Sequence, residues 1–87
     1  MERPSFAEVK LSELVQPPKL LEDPEIAQHF ASEGSIEWEL RTHKREYISA
    51  GALFEVARRL LVHPARFKAT ALEIAARKLA VRAGIEV

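Results

Sequence analysis

The sequence predicts a small, mostly helical α+β domain. Three observations carry that expectation. Ile36, Trp38 and Leu40 alternate with Glu37, Glu39 and Arg41, a period of two that reads as a strand over about 35–42. Leu53, Val56, Ala57, Leu60 and Leu61 recur at helical spacing. The stretch after Pro64 is dense in strong helix formers up to Gly84. The 87 residues make one domain with a thin core. Residues 1–22 are expected to form an N-terminal arm and linker.

Along the chain, Ser5 and Glu8 have capping-box spacing, so residues 6–15 read as a short helix or a partly extended arm. Pro17 and Pro18 stop it, and residues 16–22 link onward with Leu20 and Leu21 packing down. Asp23, Pro24 and Glu25 supply a cap, a first-turn proline and a dipole-matched acid for a helix over 24–33. Gly34 is expected to end it. The strand follows. No Asn-Gly or Asp-Gly turn comes after it, so a hairpin with residues 46–49 is poorly specified. Ser49 caps a predicted helix over about 50–62, and Pro64 separates it from the last helix, about 65–83. That last helix carries two apolar stripes: Phe67, Ala71, Ile74 and Ala75, and beside them Leu72, Ala76, Leu79 and Ala83. One stripe covers its own domain, and the second asks for another helix.

A lone strand needs a partner for its edges, and a two-fold axis is the commonest way to supply one. An axis at Glu39 sets Glu37 opposite Arg41 and Trp38 opposite Leu40, pairings worth ~0.2–1 kcal/mol each. Ile36, Glu37, Trp38, Leu40 and Arg41 are therefore the expected interface of a homodimer built on a two-stranded antiparallel ribbon.

Composition narrows function more than it names it. There is no cysteine, so neither disulfides nor thiolate chemistry are available. The spacing of His29, His43 and His63 matches no zinc pattern, so no metal and no cofactor is expected. Glu37 and Glu39 would share a strand face, but paired carboxylates need a pocket that separates their pKa values. No glycine-rich phosphate loop or nucleophile elbow is present, and the chain reads as non-enzymatic. No run reaches the length of a membrane span and no apolar leader opens the chain, so the cytoplasm is the expected compartment. Net charge is zero overall, yet residues 1–40 set three bases against nine acids while residues 41–87 set ten bases against four. Opposite halves of this kind dock on each other, on a second copy, or on nucleic acid.

The favoured expectation is a small regulatory protein that binds another, unidentified protein. It would be an antiactivator or inhibitor that masks a surface of a transcription regulator, with Phe54, Phe67, Leu72 and Leu79 as anchors. The alternatives are a dimeric DNA-binding regulator, using Arg58, Arg59, Arg66 and Lys68 against phosphate, and a structural subunit of a larger assembly. In layout, a strand followed by two helices over residues 35–83 resembles the ribbon-helix-helix repressors. That resemblance implies base-reading positions at Glu37, Glu39 and Arg41. Val62, His63 and Pro64 stand where that family carries a glycine-containing turn.

Overall fold

The computed structural model describes residues 9–84. The expected Ser5–Glu8 capping box lies outside them. A single 3-10 turn, Leu11–Glu13, leads to a 3-10 helix, Pro17–Glu22, and then to α1 (Pro24–Ala27), α2 (Glu33–Thr42), α3 (Lys44–Ser49), β1 (Leu53–Val56), β2 (Arg59–Val62) and α4 (Pro64–Arg82). The molecule is α+β and predominantly helical, with a two-stranded antiparallel sheet. Among the described residues, no helix is long and apolar enough to cross a membrane.

The Asp23–Pro24 start forms as the residues dictate. The Asp23 carboxylate accepts the Glu25 N–H at 3.0 Å, with Pro24 in the first turn. The helix itself is shorter than the 24–33 expected, ending at Ala27. Gly34 is not its cap but part of the first turn of α2.

The largest correction is residues 35–42, which are helix rather than strand. Ser32 and Ser35 cap each other reciprocally, the Ser35 N–H donating to Ser32 Oγ at 3.3 Å and the Ser32 N–H to Ser35 Oγ at 3.2 Å. Ile36 and Leu40, four apart, fall on one helical face and are buried, while Trp38 turns outward and is 53% exposed. The backbone groups of this stretch are spent inside the helix, so it offers no edge for a copy to extend. The ribbon expected from Ile36, Glu37, Trp38, Leu40 and Arg41 has no strand to form on, and the ribbon-helix-helix layout goes with it.

The second correction is the helix expected over 50–62, which is a β-hairpin. Gly51 is the pivot. It takes a positive φ of 71°, and α3 closes in a Schellman motif: Gly51 N–H bonds Ile48 O at 3.0 Å and Ala52 N–H bonds Tyr47 O at 2.9 Å. The chain leaves extended, and Leu53 pairs with Val62, Phe54 with Leu61, Glu55 with Leu60 and Val56 with Arg59. Ala57 and Arg58 make the turn, both at positive φ, 52° and 65°. This is the left-handed pair of a type I′ turn without the usual Asn-Gly. On the outer edge of β2, Val15 and Val62 exchange both backbone bonds, at 2.8 and 2.9 Å. The next hydrogen-bonding pair in that register would set Pro17 against Leu60. Proline has no N–H to donate, so the ladder ends there.

The last helix follows expectation closely. His63 is its cap, Nδ1 accepting the Arg66 N–H at 3.3 Å, and Pro64 occupies the first turn. An imidazole that accepts at Nδ1 carries its proton on Nε2, which donates to Glu13 Oε2 at 3.3 Å. The core gathers on α4: Phe67 is fully buried, stacks on Tyr47 at 5.2 Å and meets Phe30 at 5.5 Å. Leu20, Ile26, Ile36, Leu40, Ala52, Leu53, Val62 and Ile74 complete it. Full burial of a side chain the size of Phe67 contributes roughly 1.5–3 kcal/mol.

Candidate functional site

The two faces of α4 divide nearly as its two stripes do, except that Ala75 is exposed. Phe67, Thr70 and Ile74 face the core and are buried. At ~100° per residue, Leu72 and Leu79 lie roughly opposite Ile74, with Ala76 and Ala83 beside them. Leu72 is 73% exposed and Leu79 64% exposed, seven residues apart and so nearly aligned along one line of the helix. From Ala75 to Gly84 every position except Ala80 is exposed.

The stripe runs into a groove. Phe30, Ile26 and His29 form one wall, and Phe67, Ala71, Leu72 and Ala75 of α4 the other, around a space of about 480 Å³. Phe30 and Ala71 are only partly buried against the core, so the trail from Phe30 through Ala71 and Leu72 to Leu79 is open apolar surface. After Glu73 the described part of α4 carries Arg77, Lys78 and Arg82 and no acid, but these line another hollow with His43, Glu46 and Ile74 and not the apolar trail.

The acidic and basic halves do touch within the chain. Lys68 Nζ lies 2.9 Å from Asp23 Oδ2 and 3.1 Å from Glu25 Oε2, pinning α1 to α4 beside the groove. The Lys68 ammonium, and then the N–H groups at the start of α1, hold the Asp23 carboxyl below its ordinary value.

Of the expected anchors, Leu72 and Leu79 stand on this surface. Phe67 is buried beneath it and is core, not a docking side chain. Phe54 sits on β1, half-buried. The four cations proposed for phosphate separate: Lys68 is tied to two carboxylates, and Arg66 is half-buried with Nη1 donating to Gly51 O at 3.4 Å. Arg58 and Arg59 remain exposed at the hairpin tip.

Glu37 and Glu39 do not share a face once their segment is helical. Glu39 accepts the Tyr47 hydroxyl at 2.7 Å and lies 4.0 Å from His43 Nε2. Glu37 instead borders a second groove, of about 780 Å³, between the 16–18 segment, α2, α3 and the hairpin. Arg41, Lys44 and Arg59 converge on it, and none of them makes an ion pair among the described residues. The sequence alone does not show this meeting, because the spacing of residues 50–62 predicts a helix and not the hairpin that brings Arg59 to Arg41. Among the described residues, no group of histidine and acidic side chains has the arrangement of a metal site.

No protein-family model matches this chain, and neither a curated protein nor a solved structure resembles it closely enough to count as a match.

Proposed function

We propose that this is a small non-enzymatic regulatory protein that binds another protein through the outer stripe of α4. The occupant is an amphipathic helix whose apolar face lies along Leu72, Ala75, Ala76 and Leu79. The observation that carries this reading is the pair Leu72 and Leu79, each about two-thirds exposed or more on a helix whose other face is core. A large apolar side chain held open twice along one line is the pattern of helix-on-helix recognition. The mode of action that fits is occupancy: the stripe takes the place of a surface its target otherwise buries, as an inhibitor or antiactivator does.

The test is co-purification from the native host with the wild-type chain and with Leu72→Asp/Leu79→Asp. The partner is expected with the first and not the second, and is expected to survive a wash at about 1 M salt, which screens charge but not apolar contact. Both positions are exposed, so the double variant is expected to keep its fold. Loss of the partner in salt alone, or equal capture by the double variant, overturns the reading. So does light scattering that shows a homodimer dissolved by the two aspartates.

A further inference from the structure

We infer that the groove between α2, α3 and the β-hairpin is a binding site for the phosphate backbone of duplex DNA. Three guanidinium or ammonium groups from three elements, Arg41, Lys44 and Arg59, line one open space. Cations brought together without partners repel one another and stay that way only where the cost is small or a ligand supplies the countercharge. Elsewhere this chain does neutralise a cation, spending two carboxylates on Lys68. Here the bordering acid, Glu37, makes no ion pair with them.

A second observation points the same way. The hairpin's distal half is exposed from Ala57 through Leu60, and Arg58 sits at its apex at a φ of 65°. An L-residue other than Asn or Asp is costly there, and local strain of this kind is a mark of functional positions. Arginine is the side chain best matched to phosphate oxygens, through its planar fork of donors. Arg58 adjoins Arg59 at the hairpin tip and adds a fourth exposed cation next to the three that line the groove.

The lining also separates duplex from single strand. Gln16, Pro17, Pro18, Leu40, Leu53 and Leu60 complete it, with no aromatic ring on which an unpaired base would stack. A two-stranded ribbon with a cationic tip is, moreover, of a size to enter a duplex groove while its flanks hold the backbone.

The experiment is fluorescence anisotropy of a labelled duplex of arbitrary sequence, titrated with the full chain between 50 and 200 mM salt. Four phosphate contacts give a slope of about −3.6 in log K against log salt, a loss of roughly 10²-fold across that range. Arg41→Ala, Lys44→Ala and Arg59→Ala are each expected to flatten the slope by about 0.9 and to weaken binding roughly eightfold at 0.1 M salt. Arg58→Gly is expected to do the same without unfolding the tip. Glu37→Gln is expected to tighten binding. Leu72→Asp/Leu79→Asp is expected to leave DNA binding unchanged, which keeps this site distinct from the α4 surface. The inference is overturned by no binding at 50 mM salt or by tighter binding of the single strand. It is equally overturned if poly-glutamate binds as tightly as DNA, or if Arg77→Ala and Arg82→Ala cost as much as the groove variants.

Discussion

Replacing the hairpin tip, Ala57→Asn together with Arg58→Gly, is expected to stabilise the protein. Ala57 and Arg58 hold φ values of 52° and 65°. A left-handed L-residue brings Cβ against the following carbonyl oxygen, at roughly 1–2 kcal/mol each. Asparagine tolerates that region and glycine has no Cβ to clash, so most of the steric cost is relieved at both positions. Glycine returns some of the gain by loosening the unfolded chain, about 0.5–1 kcal/mol. Both side chains are exposed, so no packing is lost. The net gain is ~1–2 kcal/mol, and at ~4–8 °C per kcal/mol for a domain of this size the melting temperature should rise by roughly 5–15 °C. Thermal melts followed by circular dichroism, with urea midpoints as a second probe, read the effect. A double variant that melts at or below the wild-type temperature would refute the left-handed turn and with it the strain assigned to Arg58. If the turn is as described, Arg58→Gly trades duplex affinity for stability, whereas Ala57→Asn alone stabilises and leaves affinity untouched.

Phe67→Ala removes the ring that Tyr47 and Phe30 pack against and is expected to cost ~3–5 kcal/mol, a large part of the stability of so small a domain, visible as a lowered urea midpoint. Tyr47→Phe deletes the hydrogen bond to Glu39 at a cost of about 1.5–3 kcal/mol, since the acceptor is charged. Burial first, and then the Glu39 carboxylate, push the Tyr47 phenol far above its ordinary value of 10.0. The unfolded chain therefore ionises first: stability from this group is intact below about pH 10 and falls as pH rises beyond it. Tyr47 is the chain's one tyrosine, so Tyr47→Phe should flatten the alkaline limb of a denaturation series. Asp23 runs the other way. Its carboxyl is held below the ordinary value of 3.8, chiefly by Lys68, so its contribution is present above that pH and lost as pH falls through the folded value. Lys68→Met should return the Asp23 titration toward the ordinary value, measurable by NMR.

The candidate surfaces were legible to different degrees. Leu72 and Leu79 stand out in the sequence because a second apolar stripe exceeds what one domain can cover. Phe67 was not separable from them, because a wide apolar helix does not say which of its stripes faces in. The meeting of Arg41, Lys44 and Arg59 was invisible, since the residues are brought together by a hairpin whose turn lacks the usual signal. His63, which the sequence places only in the turn before Pro64, stands at the start of α4, where its Nδ1 accepts the Arg66 N–H.

What the chain determines by itself is what short-range chemistry decides. Asp23 followed by Pro24 opens a helix, and Pro64, a run of alanines and leucines, and Gly84 bound another; each acts within a turn or two of its own position. Tertiary structure decided the rest. Ile36, Trp38 and Leu40 satisfy a strand by alternation and a helix by the spacing of Ile36 and Leu40. Only burial of that pair against the core, with Trp38 left outside, selects the helix. Residues 53–62 fit an amphipathic helix on paper. They form a hairpin because Gly51 turns the chain out of α3 and because burying Leu53 and Val62 offsets a turn that no local preference would choose.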